Sequence, residues 1–147
     1  MSTHKDRKPG SRTRARERAL QALFSVDLSG ADASLALAAA IDSDENEKLD
    51  AEATVFAKKL IEGVIANRAE VDKVIEAHSH NWRLERMAKV DRNVLRLAVY
   101  ELLHLPDVPK RVVLNEAIEL AKKFGSEESS SFINGILDKV AGTVRKE

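Results

Sequence analysis

The sequence predicts an all-α protein of about seven helices. Three observations support this fold class. Apolar residues recur with the 3.6-residue period of a helix over most of the chain, and no segment alternates as a half-buried strand does. Helix-favouring Ala, Leu, Glu, Lys and Arg abound, whereas aromatic residues make up only 4%. The one β-branched cluster, RVVL at 111–114, lies inside a helical period.

Four amphipathic segments occupy the first half, at residues 13–28, 34–41, 50–66 and 68–78. Gly30 follows the first as a stop, and Asp32 or Ser34 can cap the second. The acidic residues 42–52 are typical of a loop. Asn67 either interrupts the last two segments or lies within one helix.

Three further stripes of apolar residues span 90–105, 114–124 and 133–144. Pro106 and Pro109 separate the first two, because proline lacks the N–H that a helix needs. Gly125 is expected to end the second of these helices in the left-handed cap conformation. Trp82, with Leu84 and Met87, is expected to fill the join between the two halves of the core.

The 147 residues predict one helical domain over 12–147, preceded by a flexible basic arm at 1–11. The domain is expected to divide into halves at about 12–80 and 81–147. Residues 1–18 carry seven basic and two acidic side chains, a net charge of +5, and the remainder carries −5. This asymmetry fits either a polyanionic partner or a solubilising tail.

Several function classes find no support. The chain has no cysteine and no apolar run of ~20 residues, so thiolate metal sites and a membrane span are not expected. His78 and His80 are spaced i, i+2 and therefore point to different helix faces, unlike a metal-binding i, i+4 pair. His78 falls on an apolar stripe and is interpreted as a structural residue. We expect a soluble intracellular protein that is not an enzyme and has no cofactor or metal.

Two phenylalanines lie off the apolar stripes of their helices. Phe132 shares a flank with Glu128, Gly135 and Lys139, so it either stacks an unpaired base while the lysine meets phosphate, or packs on a neighbouring helix. Gly135 within a helix hints at the close approach of a packed helix or a ligand. Phe24 either anchors a protein partner or forms a second packing face.

The chain resembles the NusB family of bacterial transcription antitermination factors. The resemblance covers most of the chain apart from residues 30–52. It rests on ARERALQALFSVD at 15–27, WRL at 82–84, VDRNVLRLAVYELL at 90–103, DVP at 107–109, VLNEAIELAKKFG at 113–125 and FINGILD at 132–138.

This resemblance implies an all-helical fold of two small bundles and a role in transcription in the cytoplasm. It implies binding of the single-stranded boxA element of nascent ribosomal RNA together with the ribosomal protein NusE. The assembly is then expected to join the RNA polymerase antitermination complex and suppress premature termination. Both a monomer and a homodimer remain open.

The resemblance also implies roles for residues of the N-terminal segment. The arginine-rich stretch of the family matches Arg12, Arg14 and Arg16, which are expected to contact phosphates. Lys8 belongs to the same basic arm and is included with them. Thr13 interrupts a run that is continuous in some members.

Further roles follow for the helices. Phe132 matches the aromatic before the Asn-Gly pair, which favours base stacking, and Glu128 matches an acidic residue near the RNA. Lys139 is added from its position on the same flank. Phe24, where relatives often carry tyrosine, and Asp91 match the side that binds NusE.

Three alternatives come from other classes. One is a NusB-like RNA-binding domain that serves ribosomal RNA modification or assembly. A second is a helical protein–protein adaptor with a solubilising tail. A third is a helical enzyme that uses His78 or His80 with a metal.

Overall fold

The computed structural model describes residues 10–42, 48–80 and 82–146, and these form seven α-helices with no strand among them. Lys8, most of the basic arm and part of the acidic loop lie outside the described residues. The helices are α1 (Ser11–Ser29), α2 (Ala33–Asp42), α3 (Ala51–Ala66), α4 (Arg68–His78), α5 (Lys89–His104), α6 (Lys110–Phe124) and α7 (Ser129–Val144), with a 3₁₀ turn at Leu84–Arg86. The predicted fold class is confirmed.

The helix boundaries follow local capping chemistry. Asp32 accepts hydrogen bonds from the backbone N–H groups of Ser34 and Leu35 at 2.9 and 3.2 Å, so Asp32 is the cap of α2. Asp50 accepts from Ala53 N–H at 2.8 Å and caps α3 in the same way. Gly30 ends α1 with a φ of 70°, the left-handed conformation that glycine adopts without steric cost.

Gly125 corrects one expectation. It ends α6, but with φ −97° and ψ −168° it is extended and not left-handed. A side chain at this position would collide with Ser129 Oγ and with the Ala121 carbonyl. Glycine is therefore needed here for the close approach of the start of α7, where Ser129 Oγ accepts from Ser126 N–H at 2.9 Å.

Helix α5 is the centre of the molecule. It contacts α1, α3, α4, α6 and α7, and almost all of its residues from Val94 to Leu102 are buried. Helices α1, α2 and α3 pack on one another as the first bundle, and α6 and α7 pack on α5 as the second. Helix α4 contacts α5 and α7 more extensively than it contacts α3.

The join between the bundles differs from the prediction at Trp82. Leu84 and Met87 are buried, but the Trp82 side chain is 55% exposed. The 3₁₀ turn directs the two smaller apolar side chains into the core and leaves the indole at the surface. No helix within the described residues is long and apolar enough to cross a membrane.

Candidate functional site

Two arginines lie at the surface where α1 begins. Arg12 is exposed, and its guanidinium carbon lies 4.5 Å from the centroid of the Phe56 ring on α3. Arg14 is half-buried and donates to the Lys48 carbonyl at 3.0 Å. Both contacts leave charged groups next to the point where the basic arm joins the domain.

Arg16 lies in the interior, although it belongs to the same arginine-rich stretch. It is 2% exposed and donates to both carboxylate oxygens of Glu101 at 2.9 and 2.6 Å, with Glu116 3.5 Å away. Burial lowers its pKa, but the Glu101 hydrogen bonds and the two carboxylates outweigh burial and raise the pKa above the usual value. In this structure Arg16 therefore joins α1 to α5 and is enclosed, in contrast to the exposed Arg12.

The second candidate surface is a pair of aromatic side chains. Phe132, one turn into α7, is half-buried, and its ring centroid lies 5.9 Å from that of Trp82 with an angle of 76° between the planes. Lys139 is exposed two turns further along the same helix, and Glu128 is exposed at the start of α7. A side chain at Gly135 would meet nothing within 4 Å among the described residues, so a packed helix does not explain this glycine.

The end of α4 is fixed against the C-terminal end of α7, the helix that carries Phe132. His78 is half-buried, and its Nδ1 lies 2.8 Å from the Val74 carbonyl while Nε2 lies 3.1 Å from Thr143 Oγ1. The structural role expected for His78 is confirmed. Within the described part of the chain, no three His, Cys, Asp or Glu side chains are grouped so that they could hold a metal ion.

A third surface surrounds Phe24, one turn along α1 from buried Leu20. Phe24 is half-buried and lines an open, mostly apolar groove of about 340 Å³ together with Leu20, Gln21, Ser25, Val90 and Phe124. Asp91 follows Val90 and is buried, yet its Oδ1 finds no hydrogen-bond partner among the described residues. A buried oxygen without a partner is costly, and a donor from a second molecule would remove that cost.

A buried ionic cluster positions this groove. Asp27 accepts two hydrogen bonds from Arg92, both at 2.6 Å, and one from Asn93 at 2.9 Å. Arg96 lies 3.4 Å from Asp27 and pairs with Asp72 of α4 at 2.8 Å. The cluster therefore fixes the end of α1 to the start of α5 and so sets the distance between Phe24 and Asp91.

The start of α1 and the aromatic pair lie near opposite ends of α5. Arg16 pairs with Glu101 and Asp27 pairs with Arg92, so α1 and α5 are antiparallel. Trp82 precedes the start of α5, and the helix rises about 18 Å between Lys89 and Glu101 at 1.5 Å per residue. The structure thus does not gather the predicted RNA-binding residues into one pocket. Arg12 and Arg14 lie at the start of α1, whereas Phe132 and Lys139 lie on α7.

Sequence reasoning missed Trp82 as a surface residue and missed the Asp27 cluster entirely. The sequence position of Trp82 was one signal of surface exposure, since Trp82 follows the end of a helix and precedes the charged Arg83. The cluster offered another, because Asp27, Arg92 and Arg96 stand among apolar residues of strongly periodic helices, where a charge needs a partner.

Fold and surfaces together define a class: an all-helical binding protein with exposed cations, an aromatic pair at the surface, and an apolar groove next to a carboxylate that has one unpaired oxygen. Comparison with known proteins narrows this class. Residues 13–142 match the model of the NusB family, and the chain belongs to that family.

Relatives and solved structures agree. The chain is 51% identical over 138 residues to the transcription antitermination protein NusB of Myxococcus xanthus, covering 93% of this chain and 99% of the relative. It is 58% identical over 130 residues to that of Anaeromyxobacter dehalogenans strain 2CP-1, covering 88% and 89%. Among structures, T. maritima NusB matches with a TM-score of 0.82 at 39% identity over 92% of both chains. A structure of the antitermination factors NusB and NusE in complex with dsRNA matches with a TM-score of 0.82 at 30% identity, over 90% of this chain and 97% of that one.

Proposed function

We propose that this chain is a transcription antitermination factor that binds single-stranded boxA RNA of nascent ribosomal transcripts together with the ribosomal protein NusE. The assembly joins RNA polymerase in the cytoplasm and suppresses premature termination. Family membership and the similarity to a NusB–NusE–RNA structure support the proposal. The chain acts by binding and not by catalysis.

The aromatic pair of exposed Trp82 and half-buried Phe132, with a lysine nearby, is the observation that carries the RNA part. Sequence-specific RNA recognition uses unpaired bases that stack on aromatic rings, while cations meet the phosphates. Phe132 presents a half-buried ring beside Trp82, Lys139 is exposed on the same helix, and Glu128 is exposed just before that helix begins. We assign the phosphate contacts to Lys8, Arg12 and Arg14, of which Arg12 is exposed and Arg14 is half-buried at the start of α1.

A titration of labelled boxA RNA tests this part, with and without NusE. A stacked base contributes roughly 1–3 kcal/mol, so Phe132→Ala should weaken binding about ten-fold or more while the unfolding midpoint stays nearly constant. Leu35→Ala on α2 removes a similar apolar side chain that is 70% exposed and should bind RNA like the parent. An early melting transition with normal RNA affinity in the remaining folded protein would make Phe132 a packing residue.

The salt dependence of the same titration tests the arm. Each neutralised phosphate of a single strand contributes a log–log slope of about −0.7. Replacing Lys5, Arg7 and Lys8 by glutamine should flatten this slope. These three are preferable to a deletion through residue 18, because Arg16 and Arg18 are buried and hold the fold together. An unchanged slope would show that the arm is only a solubilising tail.

The apolar groove beside Asp91 carries the NusE part of the proposal. Phe24 provides an apolar anchor at its edge, and the unpaired Oδ1 of Asp91 provides an acceptor for a cation or N–H group of the partner. Such a hydrogen bond to a charged group contributes about 1.5–3 kcal/mol.

Two substitutions test the partner surface. Phe24→Ala and Asp91→Asn should each weaken NusE binding about ten-fold or more. Asp91→Asn should not destabilise the free protein, because it replaces a buried carboxylate whose Oδ1 has no hydrogen-bond partner among the described residues. Full NusE affinity in both variants would contradict the assignment of this groove.

A further inference from the structure

We infer that Trp82 is a second base-stacking ring, so that Trp82 and Phe132 together form a platform for two unpaired bases of an RNA strand. The inference rests on the proposed function, since it takes single-stranded RNA as the ligand. It adds a residue from the segment between α4 and α5 to a surface otherwise supplied by α7.

The exposure of Trp82 is the first step. Leu84 and Met87 fill the join between the bundles at 6% and 5% exposure, so the core does not need the indole. A single exposed apolar side chain has no meaning by itself. Trp82, however, is exposed next to a second aromatic ring and not in isolation.

The geometry of the pair is the second step. The ring centroids are 5.9 Å apart and the planes are inclined by 76°, an edge-to-face contact. In such a contact, the ring that presents its edge keeps both of its faces clear of the other ring. The ring that presents a face has one face covered and keeps its other face clear. Near-perpendicular faces suit bases that are splayed apart, whereas the bases of a duplex stack in parallel. The pair therefore favours a single strand over a duplex.

The rigidity of the platform is the third step. Ser79 is buried, and its Oγ donates to the Trp82 carbonyl at 2.7 Å, which fixes the backbone that carries the indole. The contact of His78 with Thr143 ties the same segment to the helix that carries Phe132. A ring that is already held in place loses little conformational entropy when a base binds.

The charge around the platform is the fourth step. Arg83 follows Trp82 and is exposed, and Lys139 is exposed on α7 beyond Phe132. Two cations thus flank the rings at positions where the phosphates of a bound strand would pass. This combination of rings and cations is the one that single-stranded nucleic acid binds.

Intrinsic fluorescence tests the inference directly, because Trp82 is the only tryptophan in the chain. Adding unlabelled single-stranded boxA RNA to the full-length protein should quench this fluorescence over the same concentration range in which anisotropy of labelled RNA reports binding. Trp82→Ala should weaken RNA binding about ten-fold, and Trp82→Phe should restore most of the affinity because it keeps an aromatic face. Leu35→Ala is the matched control. It should bind RNA with the affinity of the parent, and its tryptophan fluorescence should be quenched to the same extent.

The outcomes separate the two proposals. If RNA binds, and Phe132→Ala weakens it, but tryptophan fluorescence and the affinity of Trp82→Ala stay unchanged, the Trp82 inference is overturned while the proposed function stands. If a duplex of the same sequence binds as tightly and quenches as strongly, the platform for unpaired bases is overturned as well. An absence of RNA binding by the parent protein overturns both. If Trp82→Ala melts early, the fluorescence titration of the parent and the RNA affinity of Trp82→Phe still show whether Trp82 contacts RNA, since neither measurement uses the alanine variant.

Discussion

Replacement of Asp27 by asparagine should destabilise the protein strongly, and the effect should depend on pH in a defined direction. The Asp27 side chain is 7% exposed and accepts hydrogen bonds from Arg92 and Asn93, with Arg96 nearby. Burial raises the pKa of this carboxyl, but the hydrogen bonds and the two guanidinium charges outweigh burial. They lower the pKa from 3.8 to about 2.

The direction of the shift fixes the pH window. A carboxyl whose pKa is lower in the folded state stabilises the fold above the unfolded pKa, and this stability is lost as the pH falls from about 4 to about 2. A shift of nearly two units corresponds to about 2 kcal/mol of the free energy of unfolding. The neutral amide of Asp27→Asn also leaves Arg92 without its charged partner, so we expect a total loss of about 2–4 kcal/mol at neutral pH.

Urea unfolding of the parent and of Asp27→Asn at a series of pH values measures this loss. The difference in the free energy of unfolding should stay constant between about pH 5 and 7 and shrink by about 2 kcal/mol towards pH 2. Asp107→Asn, in the exposed turn between α5 and α6, is the control and should behave like the parent. A neutral-pH loss below about 0.5 kcal/mol, or a difference that does not shrink in acid, would refute the assignment of this cluster as a stabilising contact.

Two further predictions concern close packing at the ends of α3 and α5. A side chain at Gly63 would overlap the ring of buried Tyr100, so Gly63→Ala should lower the free energy of unfolding by about 1–3 kcal/mol. At Gly142 a side chain would meet nothing within 4 Å among the described residues, so Gly142→Ala should leave the free energy of unfolding unchanged or raise it by up to about 1 kcal/mol. Equal effects of Gly63→Ala and Gly142→Ala in thermal unfolding would contradict this difference in packing. Arg145 is buried and donates to four backbone carbonyls of α5 and the following loop, so Arg145→Met should cost about 2 kcal/mol or more. Arg145→Lys should recover only part of this loss in denaturant unfolding, because lysine cannot reproduce the planar fork, and full recovery would show that charge alone suffices.

The seven helices could be predicted because each one repeats a local pattern. Apolar stripes mark the faces that pack, and side-chain caps and stops such as Asp32 and Gly30 mark where helices begin and end. Of the two alternatives left open at Asn67, the structure shows the interruption, since Asn67 separates α3 from α4. It confirms that Asn134 and Gly135 lie within a helix. All of these features depend on residues within a few positions of one another.

Features that depend on tertiary contacts could not be predicted in this way. The left-handed cap expected at Gly125 was wrong, since the position requires glycine for an approach between α6 and α7. The expectation that Trp82 fills the core was wrong, because the short turn that follows it decides which side chains enter. The candidate partner groove depends on Phe24 and Asp91, which the ionic cluster around Asp27 brings to neighbouring positions although they are far apart in sequence.

The arginine-rich start of α1 shows why spacing alone does not distinguish a structural charge from a binding charge. Arg12 and Arg16 are one turn apart on the same face, and both guanidinium groups lie over the Phe56 ring, at 4.5 and 5.2 Å. Arg12 is exposed, whereas Arg16 is enclosed with Glu101, so the boundary between surface and interior falls within this single turn. The periodicity of a helix specifies the face of a residue but not its depth along the axis. Because Arg16 and not Arg12 pairs with Glu101, the contact that holds α1 on α5 does not depend on the exposed Arg12.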